Sequence, residues 1–221
     1  MARFTLAVLL AVAVAVAALP LNSKKVVLAI NCGSSSVSLP STEGFRYQPD
    51  SKYVEGDSHE ADYTVSDSIS DADIKYTFEK EVYMYERHTY SQMTYRLPVR
   101  QGFNTIILKF AEMYFDQPGK RVFDVLLGKK IVFKDLDVFA EVGKLAAGDK
   151  YIEVEIRDNK CYFKGDAITG ALVDGKIVLQ FVKGKADNPI IQGIIVYNSP
   201  LIGTIRSYCR IERTGVPRTE G

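Results

Sequence analysis

The sequence has few of the residues on which metal sites and covalent catalysis usually depend. It contains 2 histidines, His59 and His88, and 3 cysteines, Cys32, Cys161 and Cys209. The cysteines are too far apart to match a zinc motif, and their odd number leaves at least one outside any internal disulfide. No nucleophile-elbow motif accompanies the histidines, so a Ser-His-Asp triad is not indicated. We therefore predict no metal ion and no cofactor.

The sequence also lacks an excess of either charge and any acceptor site for N-linked glycans. The formal net charge is +1, with acids and bases interspersed along the chain. Such a chain offers no basic surface that could neutralise the phosphates of a nucleic acid, so we predict no nucleic-acid partner. No Asn-X-Ser/Thr sequon occurs. The chain would therefore meet glycans only as ligands.

Long apolar runs are confined to the N-terminus. Residues 6–18 are apolar, rich in small side chains and preceded by Arg3. This pattern is typical of a cleaved secretory signal, and the run is short for a membrane span. We predict a signal peptide over residues 1–18, one domain over 24–198 and a polar C-terminal tail over 199–221. The protein would then lie in the endoplasmic reticulum lumen or be secreted, where one disulfide is permitted and buried free thiols are the alternative.

Alternating apolar side chains in the middle of the chain predict short strands. The alternation runs over residues 106–110, resumes over 123–127 after a turn at 116–119, and continues over 131–133 after a reversal at 128–130. Period-two patterns separated by turn residues indicate antiparallel strands. We therefore predict that these three strands lie in succession.

Similar patterns extend along the domain. We predict further strands over residues 26–30, 74–85, 93–99, 103–115, 151–157, 177–182 and 190–197. Asp137 is a candidate N-cap for one short helix that stops at Gly143. Residues 38–73 are rich in Ser, Asp, Gly, Glu and Pro, and we predict that this segment is mostly loop. The predicted fold class is all-β, an antiparallel β-sandwich with at most one or two short helices.

Three central segments resemble a known carbohydrate-binding family. Residues 110–115 (FAEMYF), 121–125 (RVFDV) and 134–139 (KDLDVF) are similar to the core of malectin domains, which occur in malectin of the endoplasmic reticulum and in plant malectin-like receptors. The likeness continues near both ends of the domain, at residues 26–31, 181–184 and 187–189. The resemblance implies a malectin-like, galactose-binding-domain-like sandwich that binds carbohydrate.

The resemblance also implies which residues contact the sugar. A sugar site needs flat apolar rings and a few polar groups. In the family, the positions matching Tyr63, Tyr114 and Phe115 stack on sugar rings, and the position matching Asp187 accepts hydrogen bonds from hydroxyls. A further pocket tyrosine of the family falls at position 88, where this chain has histidine. Either His88 or the neighbouring Tyr90 would take its place. The predicted carbohydrate-binding residues are Tyr63, His88, Tyr90, Tyr114, Phe115 and Asp187.

Without the resemblance, the same residues have ordinary structural explanations. Tyr114 and Phe115 are consecutive, so in a strand one would face the core and the other would cover the sheet edge. Residues 187–189 are typical of an Asx-type turn. Lys185 and Ala186 stand where animal members of the family have an aromatic pair. These departures leave a second function open, a protein- or peptide-binding module that has lost sugar binding.

The resemblance implies a non-catalytic lectin of the secretory pathway. Its ligand would be a glucose-terminated oligosaccharide, in particular a glucosylated N-glycan during glycoprotein quality control, and its protein partners would be glycoproteins or an oligosaccharyltransferase subunit. Glycoside hydrolysis would need a pair of carboxylates, and Glu112, Asp116 and Asp124 lie near the predicted site. Acids beside turns and on strand faces are usually solvated, so we predict no enzymatic activity.

Overall fold

A computed structural model describes residues 21–63 and 69–201 of the chain. The predicted signal peptide, Cys209 and all but the first three residues of the predicted tail lie outside the described residues. The first strands are β1 Val26–Asn31, β2 Leu39–Pro40, β3 Arg46–Pro49, β4 Val54–Glu55, β5 His59–Asp62, β6 Tyr85–His88, β7 Gln92–Pro98 and β8 Gly102–Lys109. They are followed by β9 Val122–Leu127, β10 Lys130–Leu136, β11 Lys150–Arg157, β12 Lys160–Phe163, β13 Asp166–Ala167, β14 Leu172–Val173, β15 Lys176–Ala186, β16 Ile190–Ile191 and β17 Gly193–Tyr197.

These strands form three sheets. The largest has 8 strands in the order β13-β12-β11-β8-β17-β1-β3-β2, and the second has the order β10-β9-β15-β7-β4 with β14 paired to β15. The third is the small sheet β16-β6-β5. Almost all pairs are antiparallel, and β1 with β3 is parallel. Among the described residues, helical segments include the short α1 helix, Val138–Val142, and the 3₁₀ turns Ser23–Lys25, Asp71–Asp73 and Lys80–Met84. The predicted all-β fold class is confirmed.

The central strands of the large sheet are buried on both faces. In β17, Ile194 and Val196 enter the core between the two larger sheets, whereas Ile195 and Tyr197 enter a second core on the opposite face. In β8, Leu108 and Ile107 divide between the two cores in the same way. Successive side chains of a strand point to opposite faces, so a sheet covered on both sides requires continuous apolar runs. Each fully buried aliphatic side chain contributes about 2 kcal/mol to stability.

The predicted succession of three strands is partly wrong. β9 and β10 pair as the predicted hairpin, but β8 pairs with β11 and β17 in the other sheet. The chain therefore crosses between sheets after β8, and Phe110 meets Phe123 across the core with ring centroids 5.9 Å apart. Alternation specifies which side chains of a strand face inwards, but it does not specify the neighbouring strand. The crossing segment carries residues 110–121.

Of two other predictions before β7, one is incomplete and one is wrong. Most of the described residues between 38 and 73 lie outside strands, as predicted, but the segment also contains β2, β3, β4 and β5, which are too short to show a period. Residues 74–85 form a strand only at Tyr85, because a 3₁₀ turn with buried Val82 precedes it. Tyr76 and Phe78, expected inside, are 50% and 82% exposed, and the positive φ of 63° at Tyr76 interrupts the extended chain.

The short helix and two of the cysteines agree with their predictions. Asp137 Oδ1 accepts a hydrogen bond of 2.9 Å from Ala140 N and caps α1, which ends at Gly143 with a φ of 84°. This positive φ suits glycine at a helix end. Cys32 and Cys161 are buried free thiols, the second of the two alternatives. Among the described residues, no helix has the length and apolar character to cross a membrane.

Candidate functional site

Arg121 joins the two segments that carry most of the predicted site. Its Nε donates to Glu112 Oε2 at 2.7 Å. Its Nη1 lies 2.9 Å from Asp187 Oδ2 and donates to the carbonyl oxygen of Asn188 at 3.0 Å. Arg121 and Glu112 are buried, and Asp187 is partly exposed. The planar guanidinium thus connects the turn after β8 to the turn after β15 and orients the Asp187 carboxylate.

Glu112 also shapes the aromatic turn. Its Oε1 accepts hydrogen bonds from the backbone N–H groups of Tyr114, at 2.9 Å, and Phe115, at 3.0 Å. The centroid of the Phe115 ring lies 5.2 Å from the Arg121 guanidinium. The Tyr114 ring packs edge-on against the Phe115 ring, with the two ring centroids 4.9 Å apart. Tyr114 is 70% exposed and Phe115 is half-buried. The predicted strand 103–115 ends at Lys109, so neither ring is in the core and that structural alternative is wrong.

Asp187 occupies a turn with left-handed backbone. Its φ is 51°, between β15 and β16. Aspartate tolerates this conformation better than most residues, in agreement with the predicted turn. Lys185, which replaces an aromatic residue of the animal members, bonds to the Asp135 carboxylate at 3.0 Å. The turn explanation and the ligand prediction are therefore compatible, because the backbone forms the turn and the side chain faces Arg121.

Glu86 is a buried carboxyl group beside Arg121. Burial raises its pKa to about 7, with Arg121 opposing the rise and Glu112 adding to it. Gln192 Nε2 donates to Glu86 Oε2 at 3.2 Å and also to the carbonyl oxygen of Ala111 at 2.9 Å. Tyr63 is half-buried, and burial together with the nearby Glu86 raises the pKa of its hydroxyl. The predicted stacking residue Tyr63 therefore lies beside this buried polar group.

Three rings lie together on the adjoining sheet. His59 is directly opposite His88 in the β5–β6 pair, and their ring centroids are 5.4 Å apart. Tyr90 lies 4.8 Å from His59 and 6.0 Å from His88. Burial lowers the pKa of His88, and His59 and Arg121 lower it further. His88 is therefore a neutral imidazole at neutral pH, with one donor and one acceptor nitrogen.

The model of the malectin domain family matches residues 26–194 of this chain. The chain belongs to the malectin domain family. It is 38% identical over 125 residues to malectin of Mus musculus, covering 56% of this chain and 40% of that protein. It is 40% identical over 109 residues to malectin of Homo sapiens, covering 49% of this chain and 36% of that protein. The chain thus spans about 40% or less of the length of these relatives.

Solved structures share the fold of this malectin domain. The extracellular domain of ANXUR2 from Arabidopsis thaliana has a TM-score of 0.62 and 16% identity, with 78% of this chain and 48% of that chain covered. The plant receptor-like kinase FER has a TM-score of 0.56 and 20% identity, with 78% of this chain and 42% of that chain covered. At these identities, the likeness concerns the fold alone.

The malectin domain brings the six predicted residues into one region. Phe115 and Asp187 contact Arg121, Tyr63 lies beside Glu86, and His88 Nδ1 lies 3.8 Å from Glu86 Oε1. Tyr114 adjoins Phe115, and Tyr90 adjoins His88. Their binding of carbohydrate stays a prediction.

Sequence reasoning missed the polar residues that hold this region together. Glu112 was expected to be a solvated acid, but it is 1% exposed and paired with Arg121. Arg121 and Glu112 belong to the family-like segments 121–125 and 110–115, and this membership is the sequence signal that could have identified them as site residues. Glu86 belongs to the family-like segment that ends at position 88, but nothing in the sequence indicates that its carboxyl group is buried.

A second polar network holds β6 from its other side. The Arg87 guanidinium bonds to both oxygens of buried Asp50 at 2.6 Å, and the Tyr95 hydroxyl donates to Asp50 at 2.7 Å. Arg87 also reaches Glu60 at 2.9 Å. Because consecutive strand residues point to opposite faces, Arg87 anchors β6 while Glu86 faces the candidate site.

Two further features lie outside this site. A cavity of about 250 Å³ lies between β2, β3 and the Lys80–Met84 turn, and none of the six predicted residues lines it. Over residues 21–63 and 69–201, no group of three or more His, Cys, Asp or Glu side chains is arranged to hold a metal ion. The candidate site is therefore built from aromatic, amide, guanidinium and carboxyl groups.

Proposed function

We propose that this malectin domain is a non-catalytic lectin that binds the glucose-capped ends of oligosaccharides. The observation that carries the proposal is the juxtaposition of an exposed ring, Tyr114, with a carboxylate, Asp187, through Phe115 and Arg121. Rings cover the apolar C–H face of a pyranose, and a fixed carboxylate accepts hydrogen bonds from its hydroxyls. Both groups are held in place before the ligand arrives, which lowers the entropic cost of binding.

Two of the three acids considered for hydrolysis, Glu112 and Asp124, support a binding role, and the third, Asp116, is exposed. Glu112 is paired with Arg121, and Asp124 Oδ1 accepts a hydrogen bond of 2.7 Å from the backbone N–H of Asp135. A hydrolase needs one carboxyl group to donate a proton and a second to attack or to activate water. These two acids are instead bonded to groups of the protein itself.

The family and the N-terminal sequence pattern support a proposal for the cellular role. We propose that the domain acts in the endoplasmic reticulum lumen or after secretion, on glucosylated N-glycans during glycoprotein quality control. Glycoproteins, or an oligosaccharyltransferase subunit, are its proposed protein partners. Co-purification of glycoproteins that is lost on glucosidase treatment and in an Asp187→Asn variant would support this role. Co-purification unaffected by either change would contradict it.

The direct test is calorimetric titration of the protein with maltose, with cellobiose as the linkage control. We expect saturable binding of maltose only. Asp187→Asn should weaken it about tenfold or more, because a hydrogen bond to a charged acceptor is replaced by one to a neutral amide. Asparagine tolerates the left-handed backbone, so the turn should persist.

Asp174→Asn is the matched control. Asp174 also has a positive φ, of 50°, and lies in an exposed turn between β14 and β15, outside the site. The Asp174→Asn variant should bind maltose with the affinity of the unmodified protein. If the folded protein binds no sugar, the lectin proposal fails and the alternative, a protein- or peptide-binding module, is favoured.

A further inference from the structure

The rings of His59, His88 and Tyr90 form a continuous aromatic surface next to the candidate site. His59 and His88 face each other across β5 and β6, so their side chains share one face of the small sheet. His59 has 42% of its side chain exposed and Tyr90 is 61% exposed. Rings of this kind, half embedded and half in solvent, are suited to contact the flat face of a sugar.

Two ring nitrogens on this surface lack hydrogen-bond partners within the described part of the chain. They are His59 Nε2 and His88 Nδ1, both buried atoms. The carboxylates near them are beyond hydrogen-bond distance, with Asp57 Oδ1 4.0 Å from His59 Nε2 and Glu86 Oε1 3.8 Å from His88 Nδ1. Buried polar atoms are nearly always bonded, so two neighbouring exceptions among the described residues are positions that ligand hydroxyls can satisfy.

The position of His59 on β5 indicates how far this surface extends. β5 begins at His59 and ends at Asp62, and Tyr63 of the candidate site follows directly. Four residues of extended chain span roughly 13 Å, which is longer than one pyranose ring. The surface therefore runs from Tyr63, where a terminal sugar is proposed to bind, towards the place of the next sugars of a chain.

On these observations we infer an additional subsite for an inner sugar residue of the glycan, formed by His59 with Tyr90 and the outer edge of His88. The inference rests on the proposed lectin function and specifies its ligand as longer than a disaccharide. The exposed parts of the rings would stack on the inner sugar, and a rotation of the imidazole rings on binding would bring the buried, unpartnered nitrogens to its hydroxyls.

The test compares ligands of different length by calorimetric titration with maltose, maltotriose and maltotetraose. We expect the affinity of the unmodified protein to rise about tenfold from the shortest to the longest ligand, since one stacked and hydrogen-bonded sugar is added. His59→Ala should remove most of that gain and leave maltose binding unchanged. His59→Phe, which keeps a ring but not the nitrogens, should retain part of it.

Phe103→Ala is the matched control, because Phe103 is an exposed ring at the beginning of β8, the opposite end of that strand from the site. The Phe103→Ala variant should show the same rise in affinity from maltose to maltotetraose as the unmodified protein. Equal affinity of the unmodified protein for all three ligands would overturn the subsite, and so would equal weakening of maltose and maltotetraose by His59→Ala. If no ligand binds, the proposed lectin function itself fails and the subsite with it.

Discussion

Arg121 is a single buried side chain that joins parts of the chain far apart in sequence. It contacts Glu112, which precedes it by nine residues, and Asn188, which follows it by 67. Removing one partner of a buried ion pair leaves an uncompensated charge and costs about 3–5 kcal/mol. The same pair orients Asp187 and supports Phe115. The geometry of the proposed sugar site thus depends on a residue that need not contact sugar.

Glu86 makes stability depend on pH in a defined direction. Its folded pKa is raised to about 7 from 4.5, so between these values the folded state binds more protons than the unfolded state. Its contribution to the free energy of unfolding is full below pH 4.5 and falls by about 3 kcal/mol as the pH rises to 7 and above. Glu86→Gln should remove this fall, and urea denaturation from pH 4.5 to 8 would measure it.

The pKa of His88 is lowered from its ordinary value of 6.5, so below pH 6.5 His88 makes the free energy of unfolding rise with pH, opposite to the effect of Glu86. His88 is present in both the unmodified protein and the Glu86→Gln variant. The difference between the two curves therefore reports Glu86. Glu55→Gln, at an exposed ion pair with Arg96, is the control and should leave the curve unchanged. Parallel curves for the unmodified protein and Glu86→Gln would show that Glu86 titrates normally.

At the scale of elements, β6 is the strand on which the site depends most. It carries Glu86 and His88 on the site side and Arg87 in the Asp50 network on the other. The turn after β1 packs directly on its backbone: a Cβ built at Gly33 would lie 2.0 Å from the carbonyl oxygen of Glu86. Only glycine permits this approach.

Gly33→Ala should therefore lower the free energy of unfolding by about 3 kcal/mol or more, through overpacking and a positive φ of 84°. Gly44→Ala is the matched control, since its φ is 81° but nothing lies within 4 Å of its added Cβ. It should cost only about 1 kcal/mol. Chemical denaturation measures the free energy of unfolding of both variants. Equal decreases in the two variants would mean that the close contact of Gly33 with β6 does not affect stability.

At the scale of the whole molecule, the core between the two larger sheets protects the two described thiols. Cys32 and Cys161 belong to the core between the larger sheets, and burial raises the pKa of both, that of Cys161 to about 12. A buried, protonated thiol reacts slowly, because the thiolate is the nucleophile.

In a Cys209→Ser variant, which removes the one thiol outside the described residues, we expect no fast alkylation of the native protein by iodoacetamide. Two cysteines should be labelled in guanidinium chloride, as measured by mass spectrometry. Fast labelling of the native variant would show that one of the two thiols is accessible.

The sequence by itself determined the strands with clear alternation, the capped helix and the family. β9, β10 and β11 lie where the pattern predicts them, because the period of two and the helix cap are local properties of the chain. The single strand predicted over residues 190–197 is instead divided into β16 and β17, which lie in different sheets. The segments similar to malectin domains also located the aromatic turn and Asp187. Local patterns did not predict strands of two to four residues, such as those in residues 38–73, because so few residues show no period.

Only the tertiary structure decided which strands are neighbours and which polar residues meet. β8 and β9 are consecutive strands, yet they lie in different sheets because the chain crosses the core between them. Glu86 bonds to Gln192, which is 106 residues away, and His59 faces His88 only because β5 pairs with β6. Such contacts depend on the path of the whole chain, and burial then changes the charge state and hydrogen bonding of residues that look solvated in sequence.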